Sequence, residues 1–273
     1  MRPPSSRRWL DKAVFAAVTG VTLAVTLVFA AFFGGLVVHG FFGLRTIPRE
    51  LPPESAWRWT SMLAGSAKNT VVLVTVAGLI ASPFAVAVGF LLSEGRDDRF
   101  LRGVRACARA AQGVPSVIVG VGVSAAFVTS CGLSPMAAGA IALALMLLPG
   151  MILTTESLAR AVPNDLRSAA FALGASRLSV LLGVVLPGTR TAIIAAIVSA
   201  LIRGVGEAAV LLVTMGTAKE GPLAVLVYHE SLQFDLPPTR AHASALIMMV
   251  FILSMHLVVL RLRSGVQLGM ARW

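Results

Sequence analysis

The stretch 110–155 contains no Asp, Glu, Lys or Arg. A membrane-spanning helix needs about 20 mostly apolar residues, so this stretch is long enough for two spans, and the turn-forming cluster 130–135 divides it. Hydrophobic residues make up 57% of the chain and charged residues only 13%, whereas soluble domains carry about 25% charged residues. A chain this apolar is predicted to lie in a membrane.

Uncharged runs of similar length along the chain predict an all-α fold with six transmembrane helices. The first run exceeds the core of a signal peptide, which is about 7–15 residues, so we interpret it as a retained helix. The predicted spans are about 13–38, 69–93, 112–130, 136–155, 190–215 and 241–261. They form one transmembrane domain, 13–265, between an N-terminal segment, 1–12, and a tail, 266–273.

The distribution of basic residues predicts the orientation. Most of the 23 Lys and Arg residues lie near the two termini and in the loops after the second and fourth spans. Because basic loops stay in the cytoplasm, both termini are predicted to be cytoplasmic in a bacterial inner membrane. The outer loops, about 43–67 and 217–240, are predicted to be ordered caps or lateral helices. The net charge of +11 then indicates contact with membrane lipid and no nucleic-acid partner.

Several kinds of catalytic or cofactor site are not indicated. Lys12, Lys68 and Lys219 all lack a preceding Gly, so the chain has no phosphate-binding P-loop. It is predicted to hold no ATP and no other cofactor, and to be no enzyme. The four histidines show no metal-binding spacing, so no metal site is predicted. Cys107 and Cys131 are placed on opposite membrane faces, which predicts no disulfide.

The loop between the fourth and fifth spans, 161–187, has the pattern of two short helices. Pro163 suits a helix start, where its missing N–H is harmless, and Gly174 suits a left-handed helix end. Ser176 suits the N-cap of a second helix, and Pro187 ends that helix or begins the next span. A helical elbow of this kind can insert into a groove of another protein.

This loop resembles the EAA loop of ABC importer permeases, in which Glu-Ala-Ala is followed at fixed spacing by Gly and by a Leu-Pro pair. Ala169, Ala170, Gly174, Leu186 and Pro187 match the pattern, whereas Ser168 stands where the family usually has Glu. The resemblance implies the type I ABC importer permease architecture, with 161–187 as the coupling loop that docks on separate ATPase subunits. Those subunits would hydrolyse the ATP.

Three further stretches resemble phosphate importer permeases of the PstA type. They are 113–120 (with Gly113, Pro115, Ser116 and Gly120), 154–158 and 203–209. The resemblance implies a second, related permease and an extracytoplasmic phosphate-binding protein as partners. One departure is Leu153, where the family usually carries Arg. Other oxyanions (molybdate, tungstate or sulfate) therefore stay open as substrates.

Arg203 and Glu207 are charged residues inside a predicted span. A charge in the middle of a membrane is costly, so it suggests a functional role. The two residues are four apart, which places them on one face of a continuous helix. Two interpretations stay open. In the first, Arg203 faces the translocation path and binds an oxyanion through its guanidinium. In the second, the residues form a structural ion pair that locks two spans together.

Two other acidic residues lie near the inner membrane face. Glu156 and Arg160 have the spacing of a helix-end pair, which could transmit loop movement or simply be solvated. Glu94 suits a capping or topological role. Two rival functions differ in class: a membrane-embedded lipid phosphatase, which would need clustered His, Asp or Arg, and a passive channel, which would work without an ATPase.

Overall fold

The computed structural model describes residues 5–50, 52–95, 98–216, 221–233 and 238–270. Most of the chain in these ranges is helical and none of it forms a β-strand, which confirms the all-α prediction. Two π-helical segments, Ser124–Thr129 and Leu181–Val185, extend α4 and α7. The α-helices are α1 Ser5–Glu50, α2 Pro53–Glu94, α3 Arg99–Gln112, α4 Ser116–Val123, α5 Pro135–Arg160, α6 Asn164–Ala172, α7 Arg177–Val180, α8 Leu186–Val205, α9 Ala209–Met215, α10 Leu223–Leu232 and α11 Pro238–Met270.

Within the described ranges, five helices are long and apolar enough to cross a membrane, and the bent pair α3–α4 makes a sixth if it counts as one span. Four of them, α1, α2, α5 and α11, extend past the predicted spans. Their flanking polar residues tolerate helical backbone, so the helices continue beyond the apolar runs.

The core of the molecule lies between α2 and α5. Small side chains on both helices are fully buried, among them Ala77 and Ala85 on α2 and Ala138 and Ala142 on α5. Small residues let helix backbones approach closely, which is how helices in membranes gain packing energy. Leu73, Leu143 and Leu147 fill the remaining space.

The N-terminal ends of α2 and α11 share a buried polar contact with α10. Trp59 donates its indole N–H to Glu230 at 2.9 Å, and Arg240 forms an ion pair with the same carboxylate at 3.5 Å. The helix α10 lies in the loop 217–240, for which an ordered cap or lateral helix is predicted. Ile47 and Leu226 belong to the apolar cluster around this contact.

Two predicted spans are not single straight helices. The axes of α3 and α4 differ by 102°, because Pro115 lacks an N–H and forces the preceding residue into an extended conformation. The predicted third span, 112–130, therefore corresponds to α4 with its π-helical extension, and this segment is long enough to count as a span only together with α3, which lies at a steep angle to it. The predicted fifth span, 190–215, is broken between α8 and α9, where the N–H groups of Gly206 and Glu207 close a tight turn onto α8.

Candidate functional site

The coupling loop, 161–187, contains the helix–glycine–helix elbow that its sequence predicts. Gly174 has a φ of +81°, the left-handed conformation in which glycine carries no Cβ penalty. The N–H of Gly174 donates to the Phe171 carbonyl at 2.9 Å, and the N–H of Ala175 donates to the Ala170 carbonyl at 3.1 Å. These two bonds form a Schellman motif, which satisfies the last carbonyls of α6.

The second half of the elbow also follows from local rules. Ser176 is the N-cap of α7, and its hydroxyl oxygen accepts from the N–H of Ser179 at 3.2 Å. Leu186 is the first residue of α8 and Pro187 follows it. The π-helical segment Leu181–Val185 runs directly into α8, so Pro187 lies inside a helix that continues from Arg177 to Val205. The loop therefore has a defined conformation without any partner protein.

The exposed face of the coupling loop carries a few small side chains and several large apolar ones. Ser168 and Ala169 are exposed and Ala170 is half-buried. Leu173 is 89% exposed, and Leu166, Phe171 and Leu178 are also exposed. Large apolar side chains that are exposed together on one loop are characteristic of a protein–protein contact surface.

The inward face of the coupling loop is held by Arg167. This side chain forms an ion pair with Glu94 at the end of α2 and donates to the carbonyl of Ala159 on α5 at 2.6 Å. Arg177 also reaches the main-chain carbonyl of Glu94, at 3.5 Å. The carboxylate of Glu94, the last residue of α2, therefore binds an arginine from a distant part of the chain.

Glu156 lies in a second ion-pair cluster next to the first. Its carboxylate is 2.7 Å from Nε of Arg105 and 3.1 Å from Nη2 of Arg160. The predicted pair with Arg160 is confirmed, but the solvated interpretation is wrong, because Glu156 is only 6% exposed. Both arginines also donate to the carbonyl of Leu92, at 3.2 and 3.1 Å.

Arg203 lies on the wall of a groove of about 560 Å³. The groove walls are mainly apolar, but Gln112, Thr154 and Ser199 add polar groups near the arginine. All three stretches that resemble phosphate permeases meet here, since Val114 and Val119 also line the groove. The Thr154 hydroxyl donates to the Gly150 carbonyl at 2.8 Å, and a hydroxyl oxygen that donates its proton can still accept a hydrogen bond. The Ser199 hydroxyl donates to the Ala195 carbonyl at 2.7 Å.

Arg203 and Glu207 form no ion pair in the described part of the chain. The prediction that they share a helical face is wrong, because α8 ends at Val205 and Glu207 lies in the break before α9. Arg203 is exposed in the isolated chain, and Glu207 is half-buried. The interpretation of the two as a structural lock therefore has no support, and Arg203 is left facing the groove.

The glycines and prolines of the stretch 113–120 shape the groove. Gly113 ends α3, and Pro115 immediately precedes Ser116, the first residue of α4. Gly120 lies against α9, and a Cβ there would be 2.9 Å from the Val210 carbonyl oxygen and 3.2 Å from Val213 Cβ. Gly120 therefore allows α4 and α9 to pack closely, and Gln112, the last residue of α3, lines the same groove as Arg203.

Sequence reasoning missed several of the polar residues. Ser199 precedes Arg203 by one helical turn on α8, a spacing that could have identified it. Gln112 directly precedes Gly113 and could also have been noticed. In contrast, Arg105 and Arg167 bind carboxylates far away in sequence, at Glu156 and Glu94, and no local pattern indicates such pairs.

A family model described as "Binding-protein-dependent transport system inner membrane component" matches residues 81–267. The chain is 26% identical over 245 residues to the phosphate transport system permease protein PstA of Mycobacterium leprae, which covers 86% of this chain and 76% of the relative. For the PstA protein of Pasteurella multocida the identity is 26% over 259 residues, with coverage of 86% and 91%. The PstA protein of Haemophilus influenzae is 36% identical over 143 residues, with coverage of 52% and 51%.

Solved structures share the fold. A chain of the inward-facing MetNI methionine ABC transporter superposes with a TM-score of 0.66 at 19% identity, over 79% of this chain and 99% of that one. A chain of a bacterial alginate ABC transporter, in complex with an alginate-bound periplasmic protein, gives a TM-score of 0.65 at 14% identity, with coverage of 93% and 96%. At these identities the likeness concerns the fold alone.

Proposed function

Because the chain belongs to the family of binding-protein-dependent transport system inner membrane components, we propose that it is the permease subunit of an ATP-driven importer for inorganic phosphate. It supplies one half of the translocation path. A second, related permease supplies the other half, two ATPase subunits supply the energy, and an extracytoplasmic binding protein delivers the anion.

The observation that carries the substrate proposal is the position of Arg203 in the groove. A guanidinium is always charged and presents paired donors that match two phosphate oxygens. Gln112 adds an amide donor, and the hydroxyl oxygen of Thr154 can accept from a protonated phosphate oxygen. Relatives named as phosphate permeases support the same assignment.

The coupling loop supports the ATPase partnership. Its elbow has a defined backbone conformation, and its exposed face is mainly apolar. The family to which the chain belongs transports with the help of a binding protein, and separate ATPase subunits that supply the energy are consistent with this. ATP is bound and hydrolysed by the partner subunits, and this chain holds no cofactor. Closure of the ATPases displaces the loop, and the helices switch between inward-open and outward-open arrangements.

The orientation follows from the basic loops. The coupling loop and α3 carry much of the positive charge and lie in the cytoplasm, as do both termini. The cap built around Glu230 then faces the binding protein. Arg203 lies between these two ends of the molecule, on the wall of a groove that the second permease completes.

Leu153 affects the substrate proposal less than its sequence position suggests. It is half-buried, and its neighbour Thr154 is the residue that lines the groove. An arginine at this position would add a second positive group beside the groove. Without it, one charge must serve, which favours an anion that also presents hydrogen-bond donors. Phosphate does so near neutral pH, whereas sulfate does not.

The test is ATP-dependent uptake by the reconstituted complex in proteoliposomes. Labelled phosphate is supplied with its binding protein, and unlabelled phosphate, sulfate or molybdate is added in excess. We expect uptake that needs ATP and that only phosphate inhibits. Inhibition by sulfate or molybdate alone assigns another oxyanion, and uptake without the ATPase indicates a passive channel. Either result contradicts the proposal.

A further inference from the structure

Five charged residues join the coupling loop to three other helices. We call them the arginine–carboxylate network; its members are Glu94 on α2, Arg105 on α3, Glu156 and Arg160 on α5, and Arg167 on α6. They lie at the same end of the molecule as the coupling loop, and the ion pairs connect elements that are far apart in sequence.

The first link attaches α6 to the rest of the molecule. Arg167 is 13% exposed and Glu94 is 21% exposed at their side chains, so solvent screens this pair less than a surface pair. The same guanidinium donates to the Ala159 carbonyl. One side chain on α6 therefore binds the C-terminal ends of both α2 and α5.

The second link joins α2 to α3. The Leu92 carbonyl, two residues before Glu94, accepts from Arg105 and from Arg160. Glu156 lies between the same two guanidinium groups. A displacement of the α2 end by Arg167 therefore acts directly on groups that hold α3.

The third link leads to the groove. α3 ends at Gln112, which lines the groove, and the sharp bend to α4 follows immediately. Because α3 is a single continuous helix from Arg105 to Gln112, a shift at Arg105 moves Gln112 with it. The network thus holds α3 near its middle, at Arg105, and the groove lies at the C-terminal end of the same helix, at Gln112.

We propose that Glu94 and Glu156 are positioning residues that transmit the displacement of the coupling loop to α3 and so to the groove. Buried ion pairs contribute little net stability, but removing one partner leaves a charge unpaired and the geometry unspecified. The network makes α6 move together with the helix ends instead of bending alone. This inference rests on the proposed function of 161–187 as the ATPase-docking loop.

Ser168 gives this arrangement a particular importance. The family's usual Glu at that position is missing, so the outward face of α6 offers no carboxylate to an ATPase there. The adjacent Arg167 points inward instead and binds Glu94. The charge contact of the elbow is thus made within the permease, while the outward contact is apolar.

The experiment measures coupling in the reconstituted complex as phosphate transported per ATP hydrolysed, together with the ATPase recovered on purification. If the competition experiment identifies another oxyanion, that anion replaces phosphate. We expect Glu94→Gln to retain the bound ATPase and its ATP hydrolysis, but to lower transport per ATP about tenfold, within the range of coupling energies for such networks. The control is Glu54→Gln, an exposed carboxylate at the opposite end of α2, which should behave as the wild type.

A charge swap separates positioning from loss of fold. Glu94→Arg combined with Arg167→Glu should recover more transport per ATP than either single variant, because the pair is restored with opposite signs. If Glu94→Gln does not assemble, Glu94→Asp and Arg105→Lys are used in its place. These variants retain the charges, disturb the fold less, and report the same quantity, phosphate transported per ATP hydrolysed. Unchanged transport per ATP in the assembled variants would overturn the inference. It would also be overturned if the loss in the double variant equalled the sum of the losses in the two single variants.

The outcome for the wild type distinguishes the two proposals. A wild-type complex that neither recovers ATPase nor transports an oxyanion overturns the proposed function, and the inference fails with it. A wild-type complex that transports normally, with Glu94→Gln equally well coupled, overturns the network alone.

Discussion

Arg203 is a permanent charge on the wall of a mainly apolar groove, with three uncharged polar side chains close by. Where water is excluded from such a groove, a charged hydrogen bond to a ligand is stronger than in bulk water. The value of this residue to transport therefore depends on its charge and on its planar geometry together.

We expect Arg203→Gln to reduce phosphate uptake about 10- to 100-fold, because hydrogen bonds to a charged group contribute roughly 1.5–3 kcal/mol. Arg203→Lys should be intermediate, since it retains the charge but loses the paired donors. The control is Arg190→Gln, an exposed position on the same helix that does not line the groove. Equal uptake by the Arg203 and Arg190 variants would show that Arg203 does not contact the transported anion.

Gly174 has a purely conformational role. A Cβ at this position would meet no atom within 4 Å, so any effect of Gly174→Ala comes from the left-handed backbone, which costs roughly 1–2 kcal/mol for a residue with a side chain. We expect several-fold less ATPase to co-purify with this variant. Gly183→Ala is the matched control, because it has equal space and no positive φ. Full recovery of ATPase with Gly174→Ala would contradict the rigid-elbow argument.

Single residues also show how far the sequence alone could predict the site. The sequence predicts the conformations of Gly174 and Ser176 correctly, because capping depends on a few neighbouring residues. Pro187, in contrast, does not end a helix, since α7 continues through the π-helical segment into α8. The Glu207 pairing was wrong, because it assumed that a helix continues through two closely spaced glycines. The partner of Glu94 lies 73 positions away in sequence, so only the fold could identify it.

At the scale of elements, the bent and broken helices are what create the groove. The hydropathy of the sequence locates apolar runs, but it is blind to a 102° bend inside one of them. Pro115 marks the bend, yet proline also occurs inside α2 and α5 without ending them, at Pro83 and Pro149. Tertiary packing decides between a tolerated proline and a helix end, so six spans were predictable and the shape of two was not.

The contact between α4 and α9 leads to a prediction for packing. Gly120→Ala should lower the midpoint of thermal unfolding, because an extra Cβ in a filled contact costs about 1–3 kcal/mol, equivalent to roughly 2–4 °C per kcal/mol for a chain of this size. Gly122→Ala on the same helix is the control, since no atom lies within 4 Å of its added Cβ. Scanning fluorimetry in detergent measures both. Because alanine has the higher helix propensity, Gly122→Ala should not be destabilised, and a Gly122 variant as unstable as the Gly120 variant would contradict the close contact as the cause.

At the scale of the whole molecule, the proposed orientation can be tested with the natural cysteines. Cys107 and Cys131 are both free and exposed, the first on α3 and the second in the turn before α5. We expect a membrane-impermeant maleimide to label Cys131 in intact cells of the Cys107→Ser variant. The Cys131→Ser variant should be labelled only after permeabilisation. The reverse pattern would invert the topology.

The packing of α1 has a consequence for how the chain is made. Gly40 and Gly43 bring α1 against α11, with Gly40 close to Leu246 and Gly43 close to the Thr239 carbonyl, whereas the apolar window of α1 is 0% buried within the chain. α1 is synthesised first and α11 last, so this glycine surface waits unmatched in the bilayer throughout translation. A chain released before α11 is made has a first helix without its packing partner. The uncovered surface around Gly40 and Gly43 then distinguishes this incomplete chain from the complete one for cellular quality control.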